Sequence, residues 1–148
     1  MDTAVDLKFA DGEYRFWLPL PQVFELERKT GDTSILVLEE RLRDAIGVDE
    51  KGEYVFTGGG AAMTLDVRET IRLGLIGGNS GMVDGEEVEV GPQLAKQLVD
   101  NYAYPARPLE EGVVLAWRIL HAAIHGVRLK KKAEPEQAES PSPSPKGS

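Results

Sequence analysis

IRLGLIGGNSGMVDGEEVEVGP, residues Ile71 to Pro92, is the stretch on which the reading of this chain turns. A glycine-dense loop follows an apolar run, an arrangement that phosphate-binding loops share. A P-loop, however, leaves a strand, passes through GxxxxGK[ST] and enters a helix, with its lysine meeting phosphate. Here the residues before the glycines fit a helix instead. Asp66 and Glu69 have capping-box spacing, with Asp66 as cap, and Val67, Ile71 and Leu75 line one face. No lysine or hydroxyl stands in the required place, and the carboxylates Asp84, Glu86, Glu87 and Glu89 that follow would repel phosphate. The dinucleotide pattern GxGxxG fails for the same reason, since it too must leave a strand. Gly77-Gly78 therefore read as a helix stop, and the acids beyond them as a solvated turn. Those acids also lack the alternate-position spacing of a calcium loop.

Working outward, Val5 to Leu18 reads as a hairpin turning at Asp11-Gly12, with Phe9 opposite Tyr14, Leu7 opposite Phe16 and Val5 opposite Leu18. Asp6, Lys8, Arg15 and Trp17 take the other face. A lone hairpin is marginal in water, so its apolar face must lie on helices. Pro21 suits the first turn of a helix reaching about Thr30, and Gly31 follows its end. Thr33 to Ile46 carries Ile35, Leu38, Leu42 and Ile46 at steps of three and four, which predicts a second helix closed by Gly47 with charges outside. Glu53 to Thr57 has the composition of a short strand. A fourth helix begins near Gly91-Pro92, and a fifth runs from Pro108 to about His125 with Gly126 as its stop. The fold class expected is α+β: an N-terminal two-stranded hairpin packed on about five helices, as a single domain over residues 1–129. Residues 130–148, Lys-rich and then Ser-Pro repeating, have too few apolar side chains to offset ordering entropy and read as a disordered tail.

Bulk composition narrows the function. The chain has 148 residues, 41% hydrophobic and 28% charged, with a formal net charge of -8 and no cysteine. Acidic balance argues against nucleic acid as partner. Absence of cysteine removes disulfides and thiolate metal sites. No apolar run reaches the length of a membrane span and Met1-Asp2-Thr3 begins no signal peptide, so a cytoplasmic protein is expected. His121 and His125 lie four apart on the fifth helix, a spacing that can hold zinc, but Ala122-Ala123-Ile124 between them supply no base and no third ligand is evident. With Glu111, Arg118 and Arg128 they form a narrow polar stripe, which reads as a solvated face. There is no GxSxG elbow. No catalytic, cofactor-binding or metal residue is assigned, and the protein is not expected to be an enzyme. The fifth helix is apolar over most of its circumference, with Val114, Leu115 and Ile119 outside its main apolar face. Such a helix is either central in a core or packed on two sides. On the second alternative Leu115, Ile119 and Val114 bind a partner.

Three blocks carry a family likeness. Leu65 to Gly78, LDVRETIRLGLIGG, resembles the central block of the gene transfer agent family proteins, grouped with the tail tube assembly chaperones of tailed phages. Tyr102 to Leu109, YAYPARPL, resembles that family's link into its last helix, and Ala116 to Gly126, AWRILHAAIHG, resembles the helix itself. The segment Val48 to Ala62 is longer than the family pattern, and the Ser-Pro tail has no counterpart in it. The resemblance implies an assembly factor that binds the tape measure protein and brings tail tube subunits to it, with self-association conceivable and no membrane, nucleic-acid or small-molecule partner. It also implies action in the cytoplasm of a bacterial host and absence from the mature particle. The rival readings are a permanent structural or completion component of the tail, and a metal-dependent enzyme using His121 and His125. Tail chaperone genes of this kind often yield a longer product by ribosomal frameshifting. Lys130-Lys131-Lys132, which adenine-rich codons encode, is where such slippage would fall, but the favoured reading is that lysines after a helix C-terminus suit its dipole and keep the tail soluble.

Overall fold

The computed structural model describes residues 1–128. The Lys130–Lys132 run, with the slippage alternative raised for it, and the Ser-Pro tail lie outside the described residues. The architecture is α+β. In chain order the elements are β1 (Val5–Phe9), β2 (Gly12–Phe16), α1 (Leu20–Lys29), α2 (Ile35–Arg43), β3 (Ile46–Val48), β4 (Tyr54–Phe56), α3 (Thr64–Gly78), β5 (Ser80–Val83), β6 (Glu86–Val88), α4 (Pro92–Tyr102) and α5 (Leu109–His125). An antiparallel sheet runs β1-β2-β5-β6, and β3 and β4 form a separate two-stranded ribbon.

The N-terminal hairpin is thus half of a four-stranded sheet. The acids after the glycines do not decorate a plain turn: Glu86 and Glu87 stand on β6, and only Asp84-Gly85 turn the chain, both at positive φ. The helix-stop reading missed this pair because Ser80 to Val88 has little apolar alternation. The first hairpin is also shifted by two residues from the expected register. Val5 faces Phe16, Leu7 faces Tyr14 and Phe9 faces Gly12, so the turn is Ala10-Asp11, with Ala10 at φ 57°. The reason lies across the sheet. A Cβ on Gly12 would sit 2.3 Å from the Met82 carbonyl oxygen of β5, so this glycine serves close strand approach rather than the turn. A slip of two residues preserves the faces. Leu7, Tyr14 and Phe16 are buried on the inner side, and Arg15 and Trp17 point outward, where the Trp17 indole donates to Thr3 Oγ1 at 2.9 Å.

Three helical boundaries follow from local hydrogen bonding. Pro21 lies in the first turn of α1, and Thr30 closes that helix, its N–H donating to the Leu26 carbonyl. α2 ends at Arg43, three residues short of expectation, because Ile46-Gly47-Val48 pair with Tyr54–Phe56 as a strand. The Gly58-Gly59-Gly60 run, all at positive φ, then brings Ala61 back so that its N–H donates to the Arg41 carbonyl at 3.1 Å. α3 starts one residue after Met63, so Asp66 is its third residue and not its cap. The Asp66 carboxylate accepts the Met63 N–H at 2.8 Å, the part expected of Glu69, while Glu69 pairs with Arg72 instead. Asp66 is buried and also accepts from Arg41 Nη1 at 3.2 Å.

The buried apolar side chains form one cluster, with Phe16, Leu26, Leu38, Leu42, Ile71, Leu75, Ala116 and Leu120 fully inaccessible. α5 runs through the middle, packed on α3 and β1 on one side and on α2 and β4 on the other. The sheet is docked onto α3 by backbone contact. The Trp17 N–H donates to the Gly74 carbonyl at 3.0 Å, and Cβ atoms at Gly77 and Gly78 would lie 2.0 Å from Trp17 O and 1.8 Å from Arg15 O. Past them Asn79, left-handed at φ 52°, donates its N–H to the Leu75 carbonyl, ends α3 and delivers the chain into β5. Alanine is a better helix former than glycine by about 1 kcal/mol. Gly78→Ala should nevertheless destabilise the protein by about 2–3 kcal/mol, as overpacking does. Gly91→Ala, with open space around the position, should stay within about 0.5 kcal/mol. Denaturant melts of the two variants check this, and a stabilised Gly78→Ala would mean the glycines only stop the helix.

Candidate functional site

The over-apolar helix resolves in favour of the core. Ile119 is 1% exposed and Leu115 9%, while Val114 is half-buried. Ile119 sits under α3, where a Cβ on Gly74 would meet its Cγ2 at 3.3 Å and the Phe16 ring at 3.4 Å. Ile119 is therefore covered by α3, and Leu115, though buried, lines the cleft beside the first hairpin. Exposed large apolar side chains lie elsewhere. Leu20 and Phe24, one turn apart on α1, are 67% and 62% exposed, and Leu36 on α2 is 62% exposed.

The polar stripe on α5 holds a feature its sequence does not reveal. Glu111, Arg118, His125 and Arg128 are exposed, but His121 is half-buried and leans on a second element. The His121 ring lies between those of Trp117 and His125, at centroid distances of 4.7 and 4.6 Å. Facing them from α2 is Glu39, only 5% exposed. Its carboxylate accepts the Trp117 Nε1–H at 3.0 Å and takes both arms of Arg43, Nε at 3.1 Å and Nη2 at 3.0 Å. One ligand atom each from Glu39, His121 and His125 lie within 4.8 Å of one another. These groups line a depression of about 310 Å³ with Leu36 and Ile124 at its rim.

A third candidate ligand, absent from the stretch around the histidines, thus arrives from 82 residues earlier than His121. The sequence did carry a signal for it. Ile35, Leu38 and Leu42 mark the inward face of α2, and position 39 belongs to that face by the same i, i+3, i+4, i+7 rule. A carboxylate there contradicts the expectation that α2 keeps its charges outside. The larger concavity, about 680 Å³ beside the first hairpin, is an open cleft bordered by Lys8, Phe9, Tyr102 and Arg107. Arg107 is held there by Glu111 at 3.1 Å. Among the described residues no helix is long and apolar enough to cross a membrane. Compared with known proteins, the chain matches no family model, no curated protein and no solved structure.

Burial lowers the pKa of His121, and the neighbouring charge of His125 adds to this, while Glu39 opposes it. The folded state accordingly takes up this proton at lower pH than the unfolded chain, whose histidines titrate near 6.5. The stability from keeping His121 neutral is complete above pH 6.5 and is lost as pH falls through the folded value. Melting temperature should therefore drop between pH 7.5 and 5.5 in the native chain, and the drop should be shallower in His121→Gln. Parallel thermal melts read the difference, and identical slopes would show that His121 is not held neutral.

Proposed function

We propose that the protein is a tail assembly chaperone of a tailed phage, prophage or gene transfer agent, acting by binding and not by catalysis. It would hold the tape measure protein and recruit tail tube subunits in the bacterial cytoplasm, then leave before the particle is complete. The observation that carries this reading is where the three family-like blocks fall. Leu65 to Gly78 lies within α3, Tyr102 to Leu109 joins α4 to α5, and Ala116 to Gly126 is the second half of α5 with its stop. These blocks are far apart in sequence but form one packed unit. α3 lies along α5, with Val67 against Gly112 and Ile119 against Gly74. Arg68 of the first block donates to the Tyr104 carbonyl of the second at 2.5 Å and to Asp100 at 2.6 Å.

The partner-binding surface favoured here is α1. Leu20 and Phe24 present an apolar pair at one-turn spacing, the form in which a helix-reading groove or helix partner takes its anchors. The tape measure protein, long and helical in the family resembled, is the occupant proposed. Truncating a central apolar anchor commonly costs 2 kcal/mol or more of binding, and a charge in its place costs further desolvation (order of magnitude). Leu20→Glu with Phe24→Glu should therefore weaken binding to the tape measure protein of the same gene cluster by at least about 30-fold. The melting temperature should stay nearly unchanged, because both side chains are already in water. Leu115→Glu with Ile119→Glu should unfold the protein instead. Titration of the purified partner against each variant checks both statements. Binding that survives the α1 variant would move the surface elsewhere, and a native chain that does not bind tape measure protein would end the chaperone reading. Detecting the chain in purified particles would favour a permanent tail component.

A further inference from the structure

We propose that Glu39, His121 and His125 form a binding site for one divalent transition-metal ion of the zinc class, which clamps α2 to α5. This inference is independent of the chaperone reading. The donor set is two imidazole nitrogens and one carboxylate oxygen, the combination that zinc takes in sites with three protein ligands and a water. The two histidines stand at i and i+4 on a regular helix, so both rings leave from one face with no change of backbone. The carboxylate comes from the facing helix, and the candidate ligand atoms are within 4.8 Å of each other. Bonds of about 2.0–2.1 Å require them to draw together by roughly 1–1.5 Å. His125 is exposed and reaches that position by side-chain rotation, while Glu39 and His121 are the fixed part.

Two observations single this cluster out from ordinary surface groups. His121 Nδ1 is buried and has no hydrogen-bond partner, a condition that few buried polar atoms are left in. The carboxylate is also already oriented by its neighbours. Trp117 Nε1 and Arg43 Nε both donate to Glu39 Oε2, while Oε1 takes only Arg43 Nη2, so Oε1 keeps an acceptor position. The Trp117 bond fixes the ligand through its other oxygen, as surrounding hydrogen bonds do at metal sites. The charges around the cluster are Glu39 and Arg43 from α2 and Arg118 from α5, the last lying over the Tyr54 ring of β4. Arg43 counts against a cation, but its side chain is 57% exposed and can turn into solvent while Trp117 still holds the carboxylate.

The test is calorimetric titration of ZnCl2 into the full, untagged chain at pH 7.5, with thermal melts before and after EDTA. One ion per chain should bind with a dissociation constant in the micromolar range or below. Saturation should raise the melting temperature by about 5 °C, reversed by EDTA. His125→Ala, at an exposed position that the fold does not need, should weaken binding at least tenfold. Glu39→Gln, whose amide oxygen can still accept from Trp117, should do the same. Absence of saturable binding at 100-fold molar excess would overturn the proposal. So would binding that both variants leave unchanged, which would place the ion on scattered surface carboxylates.

Discussion

The contact between the C-terminal half of α3 and strand β2 is the constraint from which the rest of the molecule follows. Helix and strand approach until backbone meets backbone, with the Trp17 N–H on the Gly74 carbonyl and the carbonyls of Arg15 and Trp17 where Cβ atoms of Gly78 and Gly77 would otherwise be. No side chain fits between them. That proximity sets Phe16 directly over α3 and, through Gly74, against Ile119 of α5. It also leaves the chain beside β2 when α3 ends, so a single left-handed residue, Asn79, suffices to start β5 as the next strand of the sheet. The Asn79 side chain then accepts the Val90 N–H at 3.1 Å, closing the β5–β6 excursion where it began. The glycines that resemble a phosphate loop are the price of this packing.

α5 meets a different constraint. It is covered on both sides, which explains an apolar circumference too wide for a surface helix. The cost appears where α2 crosses it. Glu39 occupies an inward position, and a buried carboxylate is tolerated only when it is paired and hydrogen-bonded. Arg43 one turn along α2 and Trp117 on α5 supply the donors, so the tryptophan fixes the two helices by a hydrogen bond as well as by area. The ring of Tyr54, edge-on to Trp117 at 4.8 Å, adds β4 to the same junction. The segment Val48 to Ala62, obscure in sequence, is therefore tied to the core at Trp117 and, through the Ala61 N–H, to the end of α2.

How much of this was legible depended on whether local pattern and tertiary demand agreed. α1, α4 and α5 were readable because proline, glycine and apolar periodicity all act within a few residues. The hairpin faces were readable because alternation has period two, whereas its turn was not, since Gly12 answers to β5 some 70 residues away. β5 and β6 were missed for a related reason: Glu86, Glu87 and Asn79 give no apolar alternation, and the strands exist because β2 offers an open edge. The end of α2 was overrun because Ile46 continues the helical spacing while actually pairing with Phe56. For the candidate site, the His121–His125 spacing was plain. Glu39 was visible only as a charge on an apolar face, a sign that acquires meaning once α5 is placed against α2.

The two proposed surfaces sit on opposite kinds of support, and this bears on how they could work together. α1 has a single fully buried side chain, Leu26, packs chiefly on α3 and touches α2 only lightly. Its exposed Leu20 and Phe24 therefore belong to the helix with the fewest buried apolar side chains, the sort that local opening reaches first. α2, by contrast, is fastened to α5 through Leu38, Leu42 and the Glu39–Trp117 bond. The two helices are joined by residues 30–34 and by a side-chain bond, from the Ile35 N–H to Glu27 Oε2 at 3.0 Å. An ion held by Glu39, His121 and His125 would tighten α2 on the core without touching α1. Its effect on partner binding has two routes to α1: the short connection with its Glu27–Ile35 bond, and α3, which packs on both α5 and α1.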